Sequence, residues 1–152
     1  KCNTISGYVK EMVEAIRSVN PEIEINFHAV PWKSTDFGGG IRSIAGQDLK
    51  QIAPLVDYIS PMCYHHMVIQ SPEWVHEVVN DIAFQAPDER ILPSIQVNKA
   101  YLETSVSETE FRDAFIEALR PPSDGVVFWS WEALEESPEK LKVVRDYIDE
   151  NF

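Results

Sequence analysis

The sequence predicts an α/β fold built from consecutive parallel βα units. Two observations carry the prediction: the apolar residues switch between helical spacing and a period of two, and nearly every switch is marked by a cap residue, a proline or a glycine run. A third concerns the strands. Each has one apolar and one polar parity, and each closes in aromatic or polar residues at its carboxyl end.

The elements follow in order. Thr4 to Ser6 can cap a first helix in which Val9, Met12, Val13, Ile16 and Val19 recur at helical spacing, and Asn20-Pro21 stops it. Ile23 to Trp32 is the first strand. Lys33 to Gly46 is a long connection containing Gly38-Gly39-Gly40, and a loop of that length after a strand is commonly functional. It is not a phosphate loop, because it lacks the lysine and the immediate strand-to-helix junction. A short helix around Gln47 to Ala53 closes it. The second strand lies in Asp57-Tyr-Ile-Ser-Pro-Met-Cys-Tyr-His-His-Met67, with Ile59, Pro61 and Cys63 alternating against Ser60, Met62 and Tyr64.

Ser71-Pro72-Glu73 sets a cap residue before a proline at the first helical position, ahead of an apolar face of Trp74, Val75, Val78, Val79 and Ile82. Arg90 to Lys99 is the third strand. Ser107 and Glu110 make a capping box before Phe111, Phe115, Ile116 and Leu119, and Arg120-Pro121-Pro122 ends that helix. Gly125 to Trp131 is the fourth strand. Ser137-Pro138-Glu139 opens a last helix lined by Leu141, Val144 and Ile148. No linker or repeat interrupts the pattern, so residues 1–152 read as a single domain.

A chain of 152 residues buries roughly 70% of its unfolded surface, enough for a core without disulfides. Cys2 and Cys63 therefore define no framework, and Cys63 reads as a small buried strand residue. The net charge of -12, unrelieved by any basic cluster, repels polyanions, so neither nucleic acid nor an anionic membrane is an expected partner. No apolar run reaches the ~20 residues that span a bilayer.

The polar parities need an explanation, because a buried polar group without a partner costs about 1–3 kcal/mol. Asn26 and His28 share one parity opposite Ile25, Phe27 and Ala29, while Ser94, Gln96 and Asn98 oppose Pro93, Ile95 and Val97. Trp129 and Trp131 share a parity opposite Ser130 and Glu132. A small barrel accounts for this: its lumen holds polar side chains near the carboxyl rim, and helices cover its outside. Closure takes eight strands and about 250 residues. The expectation is therefore a partial TIM barrel, the carboxyl-terminal half of a (β/α)8 fold carrying strands five to eight. Its open edges would take the missing half-barrel or self-associate. A self-contained doubly wound domain is the alternative fold, but it would need a phosphate-cradling loop after its first strand.

Asp57-Tyr-Ile-Ser-Pro-Met-Cys-Tyr64 resembles the sixth-strand motif of family 18 glycoside hydrolases and related glycosidase-like barrels, where an aspartate, a hydrophobic pair and Met-x-Tyr end the strand. Gly125-Val-Val-Phe-Trp-Ser-Trp131 resembles their eighth-strand pattern. The resemblance implies a TIM-barrel enzyme acting on carbohydrate, with Tyr64 near the reacting sugar and Trp129 as an apolar floor for a sugar ring. It favours a secreted or periplasmic setting. The chain departs from the family in carrying His65 where an acidic residue usually follows the tyrosine. The family's general acid lies on a fourth-strand motif of spaced carboxylates, which is absent here and would lie upstream of Lys1. A nucleophilic glutamate on the seventh strand is disfavoured, since Gln96 and Asn98 occupy the candidate positions and a carboxamide carries no charge.

The candidate site follows from the strand ends. Tyr64 and Glu132 are the catalytic candidates, Glu132 as the one carboxylate directly at a strand end. His28, Trp32, Asp36, His65, His66, Gln96, Asn98, Trp129 and Trp131 are candidates for substrate contact, the tryptophans by stacking on sugar faces. Adjacent histidines in a strand point to opposite faces, so His65 and His66 do not make a ligand pair and no metal is expected. No cofactor is expected either. A non-catalytic carbohydrate-binding or interaction barrel is the alternative function.

Overall fold

A computed structural model describes residues 1–151. Helix α1 (Cys2–Val19) leads to strand β1 (Asn26–Ala29), and the glycine-rich connection holds a 3₁₀ turn at Asp36–Gly38 and the single-turn helices α2 (Gly40–Ser43) and α3 (Leu49–Ile52). There follow β2 (Tyr58–Cys63), α4 (Glu73–Gln85), β3 (Arg90–Ile91), β4 (Ser94–Gln96), α5 (Glu108–Leu119), β5 (Val127–Trp129), α6 (Trp131–Glu135) and α7 (Pro138–Asn151).

β1 pairs with β2, β2 with both β3 and β4, and β4 with β5, every pairing parallel. β3 and β4 are the two ends of the expected third strand, in one register against β2, with Tyr58 opposite Arg90 and Met62 opposite Ser94. Pro93 interrupts them because it has no N–H for the ladder. The order of strands follows the order in sequence without reversal. A doubly wound sheet requires a reversal at its switch point, so the doubly wound alternative does not apply.

Register assigns the faces. Asn26 and His28 pair with Tyr58 and Ser60, and Gln96 pairs with Trp129, so the polar parities of neighbouring strands share one side. The other side is apolar: Ile59, Cys63, Ile91, Ile95 and Val97 are buried together with Val75, Val78, Val79 and Ile82 of α4 and Phe111 and Phe115 of α5. Asp57, just before β2, ties the first unit together. Its Oδ2 accepts from the Ile25 N–H at 2.7 Å and the Arg17 guanidinium at 2.8 Å.

Several expectations change. α1 begins at Cys2 rather than behind a Thr4 to Ser6 cap, and only Val9 and Val13 of its expected apolar residues are buried. Met12, Ile16 and Val19 are exposed and line up with Tyr8 at spacings of three and four, forming a second stripe beside the buried one. In α7, Leu141 and Val144 are half-buried and Ile148 is exposed, while Lys140 is the residue that enters the core. Its Nζ donates to the Val97 and Val106 carbonyls at 2.7 and 2.6 Å. Ile116 is exposed on α5, and Trp74 is half-buried rather than in the core. The fourth strand ends at Trp129; Trp131 and Glu132 belong to the first turn of α6, which Ser130 caps through its hydroxyl.

Candidate functional site

Because the strands are parallel, their carboxyl ends share one rim, and Trp32, Tyr64, Asn98 and Trp129 follow or close strands along it. Tyr64 continues the polar face of β2. Its ring centroid lies 5.4 Å from that of Trp129 with the planes tilted by 33°, although Tyr64 follows β2 and Trp129 ends β5, with β4 between them. Ser94 on the intervening strand is small, and its Oγ lies 3.4 Å from the Tyr64 hydroxyl. Burial raises the Tyr64 phenol above its ordinary value, against a smaller lowering from the Ser94 contact, so the group stays protonated and can donate. Trp129 is 43% exposed, which leaves aromatic surface open beside that donor. Met67, Val68, Ile69, Tyr101 and Leu102 add exposed apolar surface on the two adjoining loops.

Beside Tyr64 the chain leaves the strand and turns. His65 and His66 therefore do not point to opposite faces as the strand reading required; both converge on one carboxylate oxygen of Glu110, at 3.2 Å from His65 Nε2 and 2.7 Å from His66 Nδ1. His66 Nε2 lies 3.0 Å from the Thr104 hydroxyl. His65 is fully buried, and that burial holds its imidazole below the ordinary value despite the pull of Glu110. Among the described residues, no group of three or more histidines, cysteines or acidic residues is arranged to hold a metal ion.

Comparison with known proteins yields a likeness of fold. No family model matches the chain, and no curated protein matches it. A solved structure does: the chain superposes on bee venom hyaluronidase, a TIM barrel, with a TM-score of 0.59 at 15% sequence identity. The match takes in 95% of this chain and 51% of that one, so the chain spans about half the length of the structure it resembles. The parallel, sequentially ordered sheet is thus one that a TIM barrel contains.

The other expected site residues separate into groups. Gln96 is fully buried and braces the rim: its Oε1 accepts from the Met67 N–H at 3.0 Å, and its Nε2 donates to the Asn98 carbonyl at 3.1 Å and to Glu103 at 3.3 Å. Glu103 in turn accepts from the N–H groups of Ala100 and Tyr101. Asn98 is half-buried and accepts from the Lys99 N–H through its side chain. Trp32 and Asp36 line a cleft of about 370 Å³ with Phe37, Val68, Trp74 and the Lys33–Glu77 ion pair, and Asp36 also accepts from the Lys33 N–H. His28 is exposed on the polar face of the edge strand β1.

Trp131 is 57% exposed at the start of α6. Glu132, next to it in the first helical turn rather than at a strand end, is held below the ordinary carboxylate range by its own backbone N–H and by the Ser130 hydroxyl. An anion so held can accept a proton but has none to give at neutral pH. Cys63 faces the core with no exposed surface, and burial pushes its thiol up, which leaves it unreactive.

Sequence reading missed Glu110. It is the N3 residue of a capping box, and the local half of that box is present: its N–H donates to the Ser107 hydroxyl at 3.2 Å. Its carboxylate, however, turns to His65 and His66, which the local motif cannot reveal. A signal was there in the two histidines, whose ring nitrogens need partners if they are to be buried near a rim.

Proposed function

We propose that the chain is the carboxyl-terminal half of a (β/α)8 glycoside hydrolase barrel akin to family 18, with strands five to eight present and its sugar site at the rim that bears Tyr64. The observation that carries the reading is the Tyr64–Trp129 pair, an open aromatic step with a protonated phenol beside it. Sugar rings present an apolar C–H face that stacks on tryptophan and hydroxyls that accept from a phenol. The fold shared with half of bee venom hyaluronidase, whose name declares action on a carbohydrate polymer, supports the same substrate class. The half-barrel part of the reading is supported by the exposed apolar stripe Tyr8, Met12, Ile16 and Val19 on α1, which suits packing against a further helix of a closed ring.

Glycoside hydrolysis requires a protonated acid at the leaving oxygen. Glu132 is held as an anion, so on this reading the acid comes from βα units outside the chain. Tyr64 then orients the sugar and donates a hydrogen bond as charge develops, and Trp129 positions the ring. The test is hydrolysis and binding of oligosaccharides by the full natural polypeptide that contains this chain. Tyr64→Phe should keep affinity within a few-fold and lose turnover by roughly 10²-fold, the scale of one transition-state hydrogen-bond donor. A phenylalanine variant with undiminished function would favour a binding barrel without chemistry.

A further inference from the structure

Glu110 is absent from every motif that suggested function, yet it is the point at which the rim's polar side chains meet. One oxygen, Oε1, lies 3.2 Å from His65 Nε2 and 2.7 Å from His66 Nδ1. A carboxylate accepts and does not donate, so each of these two ring nitrogens carries its hydrogen. That assignment fixes both tautomers. In neutral His66 the remaining nitrogen, Nε2, is then a bare acceptor, and its neighbour at 3.0 Å is the Thr104 hydroxyl on the loop after β4. In neutral His65 the remaining nitrogen, Nδ1, is buried without a hydrogen-bond partner, so His65 has no second function open to it. The two histidines, adjacent in sequence, are therefore unequal: His65 anchors the carboxylate from inside and His66 presents an edge toward the rim, with 20% of its side chain exposed.

The elements around this cluster give it rigidity. Glu110 sits in the first turn of α5, with its N–H on Ser107. Lys140 of α7 is buried nearby and fixed on two backbone carbonyls, one of them that of Val97 just after β4. Gln96 independently joins the two loops by taking the Met67 N–H and holding the Asn98 carbonyl. The turn that begins at Tyr64 is thus pinned at His65, His66 and Met67, all three from the β4–α5 segment.

We propose that Glu110 is a positioning residue of the site: it locks His66 as the Nδ1–H tautomer, so that Nε2 accepts from the Thr104 hydroxyl and turns the Thr104 oxygen into the acceptor for a substrate hydroxyl beside the Tyr64–Trp129 step. The identity of the substrate as a sugar rests on the reading above; the lock does not. Carboxylate-fixed imidazoles are a recurrent way of setting which ring nitrogen is basic.

Two measurements on the same variants keep these levels apart. Long-range ¹H–¹⁵N correlation spectra of histidine-labelled protein above pH 8 should show His66 as the Nδ1–H tautomer in the wild type and in Glu110→Asp, and a mixture of tautomers in Glu110→Gln with the fold retained. An Nε2–H tautomer in the wild type, or a spectrum indifferent to Glu110→Gln, overturns the proposal. In oligosaccharide titrations, Glu110→Gln and His66→Ala should each weaken binding by about tenfold, and the double variant should be no weaker than the single ones. Additive losses, or full affinity in His66→Ala, overturn the role at the substrate. If no oligosaccharide binds the wild type, the carbohydrate reading fails and the tautomer spectra alone decide the lock.

Discussion

Asp57 makes two bonds with one oxygen, and through them α1 and the start of β1 are fixed to β2. The Ile25 N–H, more than the Arg17 guanidinium, holds its carboxyl below the ordinary range. An acid whose pKa falls on folding stabilises the protein above its unfolded pKa, and the contribution is lost as pH drops through the folded value. Asp57→Ala should therefore cost about 2 kcal/mol at neutral pH and progressively less in acid, measured as the difference in urea midpoints across a pH series. Lys140 presents the opposite case. Burial lowers its pKa, so the unfolded chain binds the proton more tightly and the stability gained from this group rises as pH climbs from the folded pKa toward the ordinary lysine value. Because its ammonium serves two buried carbonyls, Lys140→Ala should still destabilise by about 2–3 kcal/mol at neutral pH, read from the same denaturation curves.

The loop after β2 is the element on which the site depends. It closes as one helix-like turn, with Val68 and Gln70 donating back to the Tyr64 and His65 carbonyls, and it ends on Ile69 at a φ of 57°. A β-branched residue in the left-handed region is strained by about 1–2 kcal/mol, and Ile69 is 92% exposed, so it recovers little by packing. Ile69→Gly should therefore raise stability by roughly 0.5–1 kcal/mol in thermal melts, with glycine's chain entropy offsetting part of the relief. How far such features were legible follows from their range. Ser107, Ser137-Pro138 and the period-two strands act within a few residues and could be read directly. Gln96 was read as a ligand group because its parity and strand-end position are those of a lumen residue; that it is occupied by the Met67 N–H depends on a loop far away in sequence. For the same reason the strand reading misplaced His65 and His66: β2 stops at Cys63, and a turn brings both to Glu110. The exposure of Met12, Ile16 and Val19 was equally hidden, since helical spacing marks apolar faces without saying what each one packs against.

At the scale of the whole molecule, the sheet among the described residues has two free edges, at β1 and β5, and α1 carries an exposed apolar stripe. Unpaired parallel edges of this kind invite further strands. On the half-barrel reading, residues 1–152 expressed alone should self-associate in light scattering, and a stable monomer at high concentration would count against it. Alternating helix and strand patterns made the parallel α/β sheet readable from sequence, whereas the fit of Tyr64 to Trp129 across β4 required the register that places Gln96 opposite Trp129. That aromatic step carries the functional account. The most direct test is tryptophan fluorescence of the full natural polypeptide titrated with oligosaccharides: the account predicts a saturable change that Trp129→Ala abolishes, and an identical saturable change in Trp129→Ala, or none in the wild type, would contradict it.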